Sequence, residues 1–121
     1  MTKKVLIIDD DANSLKIVTP RLKEAGYAVV TASDGEAGLK KVQAEKPDLI
    51  ILDIAMPEMD GFTFVQELKK VGAFDKTPII VLTAKDEMQD IFEIEGVKDY
   101  IAKPFNTNDL LGRIKKLLKE S

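Results

Sequence analysis

The 121-residue chain predicts an α/β fold of (βα)5 type, a doubly wound five-stranded parallel sheet. Two observations carry that prediction. Strand-like and helix-like segments alternate five times, the pattern of a parallel sheet covered by helices on both faces. Three of the strand candidates (VLIID, LIILD and IIVLT) are apolar up to their last residue, which is how strands buried on both faces read.

The strands are expected at Val5–Asp9, Tyr27–Ala32, Leu49–Asp53, Ile79–Thr83 and Asp99–Ala102, with helices between and after them. The spacing of Ser33 and Glu36 predicts a capping box for the second helix, with Asp34 adding negative charge at its N-terminus. Asp60 is the expected cap of the third helix, and Asn106 or Thr107 that of the fifth. Gly26 and Gly96 sit where helices end. Pro20 falls inside the first helix, where it removes one backbone hydrogen bond and is expected to bend the axis. Neither linker nor repeat divides the chain, so residues 1–121 are expected to form a single domain with no output domain.

Composition removes several classes of function. Apolar residues make up 45% and charged residues 32%, the balance of a globular protein rather than a disordered one. The longest apolar stretch, within 49–55, is broken by Asp53 and cannot span a bilayer. The N-terminus lacks the long apolar segment of an export signal, and cysteine is absent; together these predict a cytoplasmic protein. A net charge of -3 argues against direct nucleic-acid binding, whose footprint is a basic stripe. Histidine is absent too, which excludes any Ser-His-Asp hydrolase. If phosphohistidine enters the chemistry, another molecule must supply it.

In an open parallel sheet, ligands bind outside the carboxyl ends of the strands. Four strand ends here deliver Asp9-Asp10-Asp11, Asp53, Thr83 and Lys103 to one rim. Clustered carboxylates repel one another, which raises a pKa or recruits a cation. Oxygen-only ligation points to Mg²⁺, Mn²⁺ or Ca²⁺, and a site with few protein carboxylates suits Mg²⁺, which completes its shell with water and phosphate oxygens. A carboxylate beside such a cation is a nucleophile toward phosphorus, and Lys103 and Thr83 are donors for phosphoryl oxygens. Taken singly, each residue has a plain structural reading. Asp9–Asp11 would be a helix-capping cluster, with Asp11 the best candidate for a mere cap, Lys103 a surface lysine and Thr83 a strand former. Their joint placement at four strand ends is what points to a site.

The motifs IIDD (Ile7–Asp10), LDIAMPEMDG (Leu52–Gly61), LTAK (Leu82–Lys85) and DYIAKPF (Asp99–Phe105) resemble those of the response-regulator receiver family. The resemblance covers essentially the whole chain. It implies a flavodoxin-like receiver fold with strand order 2-1-3-4-5 and a role as a phosphoacceptor in a two-component phosphorelay. Asp53 resembles the phosphoacceptor, and Asp9 and Asp10 the acidic pair that, with Asp53 itself and the carbonyl of Ala55, holds Mg²⁺ (or Mn²⁺). Thr83 resembles the switch hydroxyl, Lys103 the salt-bridge partner of the phosphoryl group, and Ala84 the small neighbour with a backbone N–H for it. Tyr100 resembles the aromatic that turns inward when Thr83 moves. Lys103-Pro104 resembles the family's cis peptide bond, and Pro57 and Gly61 shape the loop after Asp53.

The resemblance further implies a sensor histidine kinase or a histidine phosphotransfer protein as phosphoryl donor. It also implies readout by a downstream protein on the fourth helix, fifth strand and fifth helix, with specificity on the first and fifth helices. The chain would catalyse only its own phosphorylation and dephosphorylation, and so is not expected to be an enzyme in the ordinary sense. Phe62, Phe64, Phe92 and Phe105 are expected in the core.

Two features depart from the family pattern. Thr83 to Lys103 spans twenty residues, about two fewer than the family pattern, and the shortfall falls in an acidic fourth helix near Asp86–Glu95. The fifth helix is basic, with Arg113, Lys115, Lys116 and Lys119. This contrast is either two solvated faces or a charge-complementary contact with a partner. Asp99 and Arg113 match positions that pair across dimers in receivers attached to DNA-binding domains, but Lys98 replaces an acid there. A monomer is therefore expected, with a phosphorylation-dependent dimer as the alternative. Ala55 and Lys85 stand at positions that tune phosphoryl lifetime, and neither offers a group to orient water; a long-lived phosphoryl group is expected.

The alternative function is a phosphorylation-independent scaffold or binding module on the same fold. An aspartyl-phosphate phosphatase fits less well, because its acids would sit as DxD on the first strand rather than consecutively. A flavin site fits least, since the rim is crowded with carboxylates.

Overall fold

The computed structural model describes residues 2–53, 61–72, 77–84, 99–103 and 106–119, with the backbone alone at 61, 62, 83, 84 and 103. Five strands, β1 (Lys4–Ile8), β2 (Ala28–Ala32), β3 (Leu49–Asp53), β4 (Ile79–Ala84) and β5 (Asp99–Lys103), pair in parallel in the order β2-β1-β3-β4-β5. Helices α1 (Ala12–Glu24), α2 (Gly35–Glu45) and α3 (Gly61–Lys70) follow β1, β2 and β3, and a C-terminal helix runs from Thr107 to Leu117. The expected strand order and alternation hold, and each strand boundary lies within a residue of its sequence prediction. The fourth helix expected near Asp86–Glu95 lies outside the described residues, as do Asp60, Lys85, Phe92, Gly96, Lys98 and Phe105.

The continuous apolar runs fill two cores, one on each face of the sheet. Leu6, Ile8, Ile50 and Leu52 point to one side, where Val42 of α2 and Phe64, Val65 and Leu68 of α3 cover them. The alternate residues Val5, Ile7, Leu49 and Ile51 point to the other, against Val18 and Leu22 of α1 and Leu110 and Ile114 of the C-terminal helix. Strands facing two cores leave no position for a polar residue until they end, which is why the runs stop at Asp9 and Asp53. Phe64, completely buried, fills the core role expected of it.

Gly38 sets how closely α2 lies on the sheet. A Cβ built there would stand 2.6 Å from Ile8 Cδ1 and 3.1 Å from Phe64 Cε1, so the helix packs at a distance that only glycine permits. Helix ends follow local chemistry. Asn106 caps the C-terminal helix through the Asn108 N–H, as expected. Gly26, at φ +98, carries the chain out of α1 in the left-handed region. Pro20 does lie inside α1.

The cap of α2 corrects the sequence reading. Asp34, not Ser33, is the N-cap; its extended backbone lets Oδ1 accept from the Ala37 N–H at 2.8 Å. Ser33 and Glu36 have the spacing of a capping box, but the helix begins one residue later, and the extended backbone at Asp34 puts its carboxylate in the capping position. At the other end, α2 closes on Lys46 at φ 48, a non-glycine residue in the left-handed region.

Candidate functional site

The register of the sheet brings the acidic strand ends together. Ile8 pairs with Leu52, so the next residues, Asp9 and Asp53, come level at the carboxyl edge of neighbouring strands. The Asp9 N–H donates to the Ala32 carbonyl at 3.1 Å and extends the β1–β2 ladder by one bond, holding Asp9 in strand geometry. Asp9 is 1% exposed and Asp53 7%, the two buried carboxylates among the described residues. Burying a carboxylate costs several kcal/mol unless it is compensated, so neither is a casual strand terminus.

Asp10 is exposed, yet it supplies a carboxylate oxygen to the same point. One oxygen each from Asp9, Asp10 and Asp53 lies within 4.8 Å of the others. Asp9 Oδ1 also accepts from the Asp11 N–H at 2.9 Å, which fixes its carboxylate relative to the start of α1. Asp11 has the modest role the sequence suggested: exposed, it caps α1 by accepting from the Asn13 N–H and, at 3.2 Å, from the Ser14 hydroxyl. It does not belong to the cluster of three.

Such a donor set fits a hard cation. Three carboxylate oxygens, two of them buried, in a chain without cysteine or histidine suit an ion that prefers oxygen ligands and retains water. The ion would offset charge repulsion that these few ångströms otherwise impose.

The other predicted residues are placed by register alone. Asp53 pairs with Leu82, Thr83 pairs with Ala102, and Ala84 pairs with Lys103. Thr83 therefore stands one step beyond the level of Asp53 on the adjacent strand, and Lys103 two steps beyond it on the strand after. Tyr100 pairs with Val81, two residues before Thr83. Its side chain is half-buried and packs on the α2/α3 core. Gly61 opens α3. Ala55, Pro57 and Pro104 lie outside the described residues.

A family profile, the response regulator receiver domain, matches residues 5–115. The chain belongs to this family. Among curated relatives, the receiver domain is 42% identical over 123 residues to the alkaline phosphatase synthesis transcriptional regulatory protein PhoP of Bacillus subtilis, covering all of this chain and 50% of that protein. It spans about half the length of the curated relatives it matches. Among solved structures it resembles chemotaxis response regulator CheY4 of Vibrio cholerae, at 34% identity with a TM-score of 0.87, over 97% of this chain and 99% of that one. It also resembles response regulator TrrA of Thermotoga maritima in complex with Mg²⁺-BeF, at 34% identity with a TM-score of 0.84, over 96% and 99% of the two chains.

One arrangement in the receiver domain was not legible in the sequence. Asp99 and Arg113, which match positions that pair across dimers in receivers attached to DNA-binding domains, bond to each other within this chain: Arg113 Nη1 donates to Asp99 Oδ1 at 2.6 Å. Arg113 Nε donates to Asp109 Oδ2 at 3.2 Å. Burial alone would lower the Arg113 pKa, but its bonds to Asp109 and Asp99 outweigh that and raise it, so the guanidinium stays charged. The only sequence signal was the i,i+4 spacing of Asp109 and Arg113; the link to β5 depends on how the helix docks.

Proposed function

We propose that this receiver domain accepts a phosphoryl group on Asp53 from a phosphohistidine of a partner protein, and that Asp9 and Asp10 hold Mg²⁺, or Mn²⁺, beside it. The convergence of the three carboxylates within 4.8 Å at the sheet's carboxyl edge carries this reading. The donor must be a sensor histidine kinase or a histidine phosphotransfer protein, since this chain has no histidine of its own. Response regulator TrrA, 34% identical to this chain, is found in complex with Mg²⁺-BeF, which supports the same chemistry here.

In the transfer, a carboxylate oxygen of Asp53 attacks phosphorus as the P–N bond to the donor imidazole breaks. The O–P bond of an aspartyl phosphate forms, and the imidazole nitrogen leaves with the electron pair and is protonated. A bound divalent cation supplies charge neutralisation between the carboxylates and the phosphoryl oxygens. Asp9, fixed by the Asp11 N–H, and Asp10, at the solvent side, are the side chains that hold it. The Ala55 carbonyl is the proposed backbone ligand. Thr83 and Lys103, one and two strands away, are the proposed donors to phosphoryl oxygens, with the Ala84 N–H beside Thr83.

Phosphorylation adds roughly two negative charges at the rim. Thr83 then gains a bonding partner in one state only, and Tyr100, two register steps away, follows into the space that opens. The signal leaves through β5 and the helices beside it to a downstream protein. The domain is proposed to be cytoplasmic and monomeric before phosphorylation, and to turn over no small substrate. Among the described residues, no helix is long and apolar enough to cross a membrane.

The test is to add beryllofluoride and Mg²⁺ and follow thermal stability and the Tyr100 signal. A rise in melting temperature and a shift at Tyr100, both absent in Asp53→Asn, are expected. A native protein that does not respond, or an equal response in Asp53→Asn, would leave a scaffold that takes no phosphate.

A further inference from the structure

β5 is an edge of the sheet, with β4 as its hydrogen-bonded neighbour. An edge strand sends the N–H and C=O of every second residue outward, away from the ladder. At Tyr100 both outward groups are met by side chains. Its N–H donates to Asp99 Oδ1 at 2.8 Å, and its C=O accepts from Arg113 Nη1 at 3.1 Å. The same Nη1 donates to the same Asp99 oxygen at 2.6 Å. Carboxylate, guanidinium and the Tyr100 backbone therefore close a ring of three hydrogen bonds, which stands where a sixth strand would pair. Asp109, one helical turn before Arg113, accepts from Nε and fixes the plane of the fork. The ring is only partly exposed, with the Arg113 side chain at 35% and that of Asp99 at 27%.

We propose that Arg113 is a positioning residue for Tyr100, gripping its backbone from the sheet edge so that the aromatic side chain turns on a fixed pivot tied to the C-terminal helix. This role rests on the reading of Tyr100 as the residue that moves on phosphorylation. Edge strands fray more readily than central ones, and a loose pivot would absorb part of a side-chain rotation as backbone motion. The ring removes that slack. Tyr100 packs on the α2/α3 core and the next residue, Ile101, on the core beneath the C-terminal helix, so the pivot lies where the two faces meet. A lysine at 113 would keep the charge but not the planar fork that reaches Asp99, Tyr100 and Asp109 together.

The test uses two measurements on the whole chain. Amide exchange of the free protein reads the ring directly. In Arg113→Ala the Tyr100 N–H keeps Asp99 as its acceptor but loses the guanidinium that holds that carboxylate in place, so it should exchange severalfold faster; in Arg113→Lys the increase should be smaller, and the Ile101 N–H, on the ladder side of β5, should not change. Fluorotyrosine labelling then reads the switch, since Tyr27 and Tyr100 are the two tyrosines and buried Tyr27 reports on folding. With beryllofluoride and Mg²⁺, the native Tyr100 signal should shift between two sharp positions. In Arg113→Ala it should broaden or shift only in part, and Arg113→Lys should fall between this and the native response. Unchanged Tyr100 exchange in Arg113→Ala overturns the proposal, and so does a full native-like shift. A native protein whose Tyr100 signal ignores beryllofluoride sinks the phosphoacceptor reading and this role with it, whereas a native response that Arg113→Ala reproduces sinks this role alone.

Discussion

The two ends of the same strands treat charge in opposite ways. At the amino end, acids are matched with a cation and with backbone donors. The Lys4 ammonium bonds Glu45 Oε1 at 3.0 Å and the Glu45 carbonyl at 3.2 Å, while the Lys4 N–H donates to Asp48 Oδ2 at 2.8 Å. This seam ties β1, the end of α2 and the start of β3 together. At the carboxyl end, Asp9, Asp10 and Asp53 bring three charges of one sign to within 4.8 Å, and two of them are buried. The first arrangement serves stability. The second crowds acids at one edge, an arrangement that fits the cation proposed for it.

The largest expected effect breaks the contrast at the rim. Asp53→Asn keeps shape and burial while removing the proposed nucleophile, so radiolabel transfer from a phosphorylated histidine kinase should fall to background. Labelling that persists would place the acceptor elsewhere. Asp10→Asn comes next. Without metal it should stabilise the fold by on the order of 1 kcal/mol, because it relieves repulsion at a partly solvated site, and it should abolish phosphorylation. Native protein should in turn gain about 1.4 kcal/mol when Mg²⁺ reaches tenfold above its dissociation constant, a gain that Asp10→Asn largely loses. Thermal melts with and without Mg²⁺ check both statements, and intact phosphorylation of Asp10→Asn would refute the metal assignment.

Gly38→Ala asks how tightly the rim is set on the core, since the contact with Ile8 lies one residue before Asp9. The substitution gains about 1 kcal/mol of helix propensity but overpacks a site with a neighbour at 2.6 Å, costing about 1–3 kcal/mol. A net loss of about 1 kcal/mol in urea unfolding is expected; a gain in stability would show that α2 can simply shift outward.

The smallest effect concerns the base. Bonding to Lys4 holds the Glu45 carboxyl below its ordinary pKa. A depressed pKa contributes stability that is present above the unfolded-state value and is lost as pH falls through the folded-state value. Lys4→Met should therefore be slightly less stable than the native protein at neutral pH, and the gap should close on acidification. A gap that is constant with pH would mean the pair adds nothing through Glu45.

What the sequence revealed, and what it hid, follows from the range of the interactions. Strand ends and the acidic rim were legible because a two-faced core forbids polar residues until a strand stops, so Asp9 and Asp53 announced themselves. The cap of α2 was misread by one position because Ser33 and Asp34 are both good acceptors, and only the backbone angles at Asp34 decide between them. The Asp99–Arg113–Tyr100 ring was hidden because it joins a strand edge to a helix fourteen residues away, and periodicity does not report docking.

Lys46 has an engineering consequence. Its left-handed backbone at the end of α2 imposes a local strain that glycine would not feel, worth about 1 kcal/mol. It lies at the base, at the opposite end of the strands from Asp53. Lys46→Gly is thus a reserve of stability that can be drawn on before the rim is altered. A receiver strengthened there would tolerate costly substitutions in its packed core and partner-facing helices, and its specificity could be evolved in the laboratory with less risk of unfolding.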